Sequence, residues 1–180
     1  MKKQIPILIV VIFQTIFCFG QREKNSFSWN KNNDSFKVEM TTDFGAETQN
    51  NNTELCLYRN NKIILKDSIL ISHFENMFKD INSDGHDDIL IYQTSGARAN
   101  ETYNLYLYQN ETNTYKKVDG FNENPNISKT DKKGILSSMI LTGNVSYKFF
   151  FIKGDGKLID LNIFVTDENL DGKEYEKGLI

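Results

Sequence analysis

Short runs that alternate apolar and polar residues, cut at close intervals by asparagine and glycine, recur from Phe36 to Thr166, and no long helical pattern interrupts them. Successive side chains on a strand point to opposite faces, so such alternation gives a sheet one apolar face to bury. Phe36, Val38 and Met40 alternate in this way. So do Tyr103, Leu105 and Leu107, with Asn104, Tyr106 and Tyr108 on the opposite face. Leu55–Tyr58 and Lys62–Leu65 flank Asn60-Asn61, a dipeptide that accepts the positive φ angles of a tight hairpin. Tyr115–Val118 follows a turn at Glu111-Thr112-Asn113, and Ile135–Thr142 is a further strand. Val145–Ile152 and Lys157–Thr166 pair across Gly154-Asp155-Gly156, with Ile159, Leu161, Ile163 and Val165 on one face. The pattern predicts an all-β fold: a compact antiparallel sheet, barrel or propeller-like domain with one calcium loop between strands.

That loop is Asp80-Ile-Asn82-Ser-Asp84-Gly85-His86-Asp87-Asp88. Oxygen-bearing side chains occupy positions 1, 3, 5 and 9, and glycine occupies position 6. A short loop wraps a hard cation by pointing alternate side chains inward, turning sharply at the glycine and offering the carbonyl of position 7. The spacing therefore assigns Ca²⁺ to Asp80, Asn82, Asp84, His86 and Asp88. An acidic surface turn is the competing reading, since Asn, Asp and Gly favour turns without a metal. An EF-hand is excluded, because position 12 is Ile91 where a bidentate Glu is required. The run Ile89–Tyr92 after the loop reads as a buried strand. Phe74, Met77, Phe78 and Ile81 before it have helical spacing, but the segment is short and uncapped, and a strand is expected there too. Asp167-Glu-Asn169-Leu-Asp171-Gly172 repeats the first half of the motif. Its position 9 is Tyr175, so a polar turn is preferred to a second site.

The chain opens with Lys2-Lys3, an apolar stretch from Ile5 to Phe19, and small residues at Cys18 and Gly20, the layout of an export signal. Residues 1–20 are expected to be removed, leaving a polar N-terminal segment at 21–34, anchored only by Phe27 and Trp29, and one β domain at 35–180 with its calcium loop at 80–88. The apolar stretch is short for a retained membrane span. Removal takes away two lysines and no acid, so the formal charge moves from −3 to −5. This argues against nucleic acid as a partner and offers no basic patch for a membrane. Of two cysteines only Cys56 remains, in an apolar strand-like setting, which reads as a buried inert thiol. The expected location is periplasmic or secreted.

Little in the sequence supports an active site. The only histidines are His73 and His86; no Cys/His spacing suits zinc, and neither a phosphate cradle nor a serine elbow is present. The expectation is a binding protein and not an enzyme, with a carboxylate pair for glycoside hydrolysis as the competing reading.

From about Phe74 to about Asn162 the order of features resembles a family of exported bacterial proteins. It runs from the Asp80–Asp88 loop through an apolar strand and a Ser95-Gly96 loop. Tyr103-x-x-x-Leu107-Tyr108, an Asn113-x-Tyr115 turn and a closing hairpin follow. The family is that of periplasmic immunity proteins against a secreted lysozyme, similar in fold to periplasmic lysozyme inhibitors. The resemblance implies a lysozyme-like enzyme as partner and the same five calcium ligands. It also implies a partner-facing loop bearing Ser95, Gly96, Arg98 and Tyr103, although Gly96 and Tyr103 lie further apart than in those inhibitors. An acidic chain would be steered toward basic lysozymes, and Arg98 would pair with their catalytic carboxylates. The alternative is a calcium-stabilised surface module for carbohydrate binding or adhesion.

Overall fold

The computed structural model describes residues 22–45 and 51–179, so the expected export signal lies outside the described residues. Among the described residues twelve strands form three four-stranded sheets, each a meander of consecutive antiparallel strands. The first sheet holds β1 (Arg22–Lys31), β2 (Asp34–Asp43), β3 (Thr53–Arg59) and β4 (Lys62–Ile69). The middle sheet holds β5 (Asn76–Lys79), β6 (Asp88–Gly96), β7 (Asn100–Gln109) and β8 (Thr114–Lys117). The last holds β9 (Ile127–Lys129), β10 (Ile135–Leu141), β11 (Val145–Ile152) and β12 (Leu158–Asp167). The all-β expectation holds. The sheets stay separate and do not close into a barrel among the described residues; the first and the last pack on opposite faces of the middle one.

Local turn chemistry sets the meanders. Asn32 and Asn33 take φ of 49° and 64° between β1 and β2, and Asn60 and Asn61 take 49° and 63° between β3 and β4. Asparagine enters this left-handed region more readily than other side chains, and two such residues make the turn whose twist matches a hairpin. The strand pairs Lys31↔Asp34 and Arg59↔Lys62 close directly on these turns.

The core lies in two layers. Phe36, Val38, Met40, Leu55 and Leu57 of the first sheet pack with Ile89, Ile91, Tyr106, Tyr108 and Tyr115 of the middle one. On the other side Leu90, Leu105 and Leu107 pack with Leu136, Phe150 and Ile152 of the last sheet. The two faces expected for Tyr103–Tyr108 are thus the observed ones, and both are covered. Each large apolar side chain so buried stabilises the fold by roughly 1.5–3 kcal/mol before conformational entropy is counted. Polar stitches fix the angle between the sheets. Tyr106 donates its hydroxyl to Asp67 at 2.8 Å, Lys117 pairs with the same carboxylate at 2.7 Å, and Arg59 donates to the carbonyls of Thr112 and Asn113.

Three local readings change. The polar stretch expected before residue 35 is strand β1, paired along its whole length with β2. It is polar because it is an edge strand with a solvated outer side, and Phe27 and Trp29 hold its inner side to the core. Cys56 is half-buried and alternates with the buried Leu55 and Leu57, so it faces away from the core. The loop expected at Ser95-Gly96 is strand at both residues: β6 runs to Gly96, β7 starts at Asn100, and only Ala97, Arg98 and Ala99 lie between them.

Candidate metal loop and hairpin tip

The Asp80–Asp88 loop joins β5 to β6, the outer pair of the middle sheet. Asp80 organises it. One carboxylate oxygen accepts the Asp84 N–H at 3.1 Å and the other accepts the Gly85 N–H at 3.1 Å. Asp84 in turn accepts the His86 N–H at 2.9 Å and the Asn82 side-chain amide at 2.8 Å. Ser83 at φ 60° and Gly85 at φ 89° supply the two reversals that curl the chain around these oxygens. Asp80, Asn82 and Asp84 therefore turn their side chains to the inside of the loop, as the spacing predicts.

Asp88 behaves differently. It is fully buried, and its two oxygens accept the backbone N–H groups of Ile81 and Tyr108, each at 2.9 Å. The carboxylate pins the loop's entrance to the neighbouring strand. Its pKa is pushed up to about 7, by burial first and by the charges of Asp84 and Asp80 as well, against the downward pull of the two N–H groups. Among the described residues no three His, Cys, Asp or Glu side chains are gathered into a metal cage. The donor set nonetheless suits calcium in kind, since it is all oxygen. Each Asp88 oxygen also keeps a lone pair beyond the N–H it accepts. The residues that would hold the ion are Asp80, Asn82 and Asp84 through side chains and His86 through its carbonyl, with Asp88 behind them.

A cation of the protein's own stands nearby. Lys31, at the end of β1, lies with its ammonium 3.5 Å from the centre of the Tyr108 ring. Burial lowers its pKa, while Asp87, Asp88, Asp84 and Asp80 all act to raise it. The His86 ring meets the same tyrosine edge-on at 5.2 Å. Lys31 is the member of this group that sequence reasoning missed, because its place depends on how the first sheet packs on the middle one.

The stretch after β12 copies the loop's curl. Asp167 is buried and accepts the N–H groups of Asp171 at 3.3 Å and Gly172 at 2.8 Å, and Asp171 accepts that of Lys173 at 3.1 Å. Leu170 at φ 55° and Gly172 at φ 77° match Ser83 and Gly85. Here the turn leads into helix α1 (Lys173–Gly178), whose Tyr175, at loop position 9, packs on Tyr147 and Phe149.

The expected partner surface divides. Ser95, Gly96 and Arg98 are exposed at the β6–β7 tip, where Arg98 takes φ 64° and Ala99 φ 57°. Asn100 clamps the tip to the last sheet by donating to the carbonyls of Ala97 and Leu141 and accepting the Leu141 N–H at 2.9 Å. The Arg98 guanidinium lies over Gly143 in the next hairpin turn; a Cβ there would come within 2.7 Å of its Nη1. Tyr103 sits lower, paired with Tyr92 on the strands and donating its hydroxyl to Glu101 at 3.1 Å. Burial, then that bond, pushes its pKa up to about 12. The structure thus brings Ser95, Gly96 and Arg98 together and leaves Tyr103 below them. Strand β6, nine residues long, separates this tip from the metal loop by roughly 26 Å.

Comparison with family models, with curated proteins and with solved structures finds no match to this chain. Among the described residues no helix is long and apolar enough to cross a membrane.

Proposed function

We propose that the protein is an exported, calcium-binding module that acts by binding another protein and not by catalysis, with a lysozyme-like enzyme as the partner in the periplasm or outside the cell. The observation that carries this reading is the exposed β6–β7 tip. It presents a cationic Arg98 on a backbone held in an unusual conformation, clamped below by Asn100 and braced against Gly143. Non-glycine residues held in the left-handed region cost of order 1 kcal/mol each, and such cost gathers where a surface must keep one shape. A rigid tip loses little entropy on docking. An arginine fork matches a carboxylate in two places at once, which suits the acidic cleft of a glycosidase. The resemblance of its motif order to that of lysozyme-inhibitor-like proteins supports the same assignment. The charge of −5 left after removal of residues 1–20 favours encounter with a basic enzyme.

The test is direct. Purified protein is mixed with lysozymes of several classes, and binding is measured by calorimetry alongside inhibition of cell-wall lysis. Binding is expected for at least one class, and Arg98→Glu is expected to weaken it at least about a hundredfold by setting like charges against each other. Absence of binding to every class, or binding indifferent to Arg98→Glu, removes the reading.

A further inference from the structure

Where β1 meets the metal loop, at the opposite end of β6 from the tip, the surface opens into a cleft of ≈ 470 Å³. Two edge strands form one wall, β1 of the first sheet and β5 of the middle sheet. Phe78 and Trp29 meet edge to face across that junction with ring centres 5.1 Å apart and planes at 62°, making an aromatic corner in which Trp29 is itself stacked with Phe27 and Phe36 and Phe78 is the open ring. Phe78 is 40% exposed, one of few large apolar side chains left so open. Its neighbour Met77 packs against the core, so the alternation of β5 commits Phe78 to the cleft. Buried Tyr115 backs the corner, its hydroxyl accepting the Trp29 indole N–H at 3.2 Å and fixing the orientation of that ring.

The rim is polar and of mixed sign. Asn30 and Lys31 come from β1, and His86 and Asp87 from the loop. Asn30 and Asp87 are exposed. An amide, an ammonium, an imidazole and a carboxylate around one aromatic corner supply donors and acceptors without a net charge to select an ion. A lipid would leave these groups unpaired, and a phosphate would meet Asp87. A pyranose ring satisfies both halves, because its C–H face stacks on an aromatic ring while its hydroxyls both donate and accept.

We infer that this cleft binds a neutral saccharide, one sugar ring resting on the open Phe78 ring beside Trp29 with its hydroxyls held by Asn30, Lys31 and Asp87. The site is separate from the β6–β7 tip and stands whether or not the tip binds a lysozyme.

Trp29 is the only tryptophan in the chain, so intrinsic fluorescence reports on the cleft directly. Cellobiose, maltose, lactose and N,N′-diacetylchitobiose are titrated into the full exported protein in calcium-containing buffer. At least one is expected to give a saturable change in Trp29 emission with Kd of about 1 mM or tighter. Phe78→Ala and Asp87→Ala, both at exposed positions, are each expected to weaken binding about tenfold by calorimetry while far-UV circular dichroism stays unchanged. No saturable change with any of the four sugars up to about 50 mM overturns the inference. So does an affinity that both variants leave intact.

Discussion

Both oxygens of Asp88 are engaged by backbone N–H groups, whereas Asp80, Asn82 and Asp84 face the inside of the loop. This division of labour predicts how the loop responds to metal. Asp88 ties loop to sheet with or without an ion, and the three inner side chains gain most from one, because two carboxylates and an amide oxygen then share a positive charge instead of crowding each other. Without a closing glutamate, an affinity of about 10⁻⁵ to 10⁻³ M is expected. Holding calcium at about 100-fold over Kd adds roughly 2.7 kcal/mol to stability. Thermal melting in calcium is therefore expected several degrees above melting in EDTA, and Asp84→Ala is expected to erase the difference. Superimposable wild-type curves would remove the metal from the account. The loop was legible in the sequence because its geometry is local: nine consecutive residues carry both the ligand spacing and the glycine that permits the curl. Lys31 was not legible, since nothing near it in sequence shows that the end of β1 arrives beside Asp87.

At the scale of elements, the hairpins show what turn chemistry settles and what it leaves open. Asn32-Asn33 and Asn60-Asn61 place asparagine where the backbone needs positive φ, and Asn60-Asn61 could be read from sequence for that reason. The β6–β7 tip puts Arg98 and Ala99 in the same region of backbone space, where neither residue is at ease. A sequence reader therefore sees a longer small-residue loop in place of a tight hairpin. What holds the tip is non-local: Asn100 bridges to Leu141, and Asn126 accepts the Glu101 N–H while donating to the Met139 carbonyl. Ala99→Asn is expected to stabilise the protein by about 0.5–1 kcal/mol, since asparagine tolerates this backbone conformation better than alanine. A shift of the urea midpoint with unchanged slope is the measurement. A loss of stability would mean that the Ala99 methyl makes a contact worth more than the backbone strain. β1 was missed for a different reason. Its outer side is solvated, and only Phe27 and Trp29 carry an apolar signal, too few to distinguish an edge strand from a polar tail.

For the whole molecule the middle sheet is the shared layer, and this governs how the protein comes apart. The first sheet buries its core residues only against the middle one. Its outer side carries the Lys37–Glu39 pair and half-buried polar positions. The last sheet is covered outside by α1, where Tyr175 lies 5.5 Å from the Phe149 ring and Gly178 allows the close approach; a Cβ there would come within 2.5 Å of that ring. The first sheet thus ends the stack with polar groups and the last with a helical cap. Because Ile89, Ile91, Tyr106 and Tyr108 serve one interface while Leu90, Leu105 and Leu107, alternating with them on the same strands, serve the other, neither interface survives loss of the middle sheet. A single cooperative transition is expected, with Trp29 fluorescence, which reports the first interface, coinciding with far-UV circular dichroism, which reports all three sheets. Leu107→Ala supplies the decisive comparison. Leu107 is fully buried in the second interface, and its truncation is expected to cost about 2–5 kcal/mol. If the sheets unfold together, Leu107→Ala lowers the Trp29 midpoint as much as the dichroism midpoint, although the two residues belong to different core layers. A Trp29 transition that stays in place while the dichroism splits into two would show the first two sheets standing without the third.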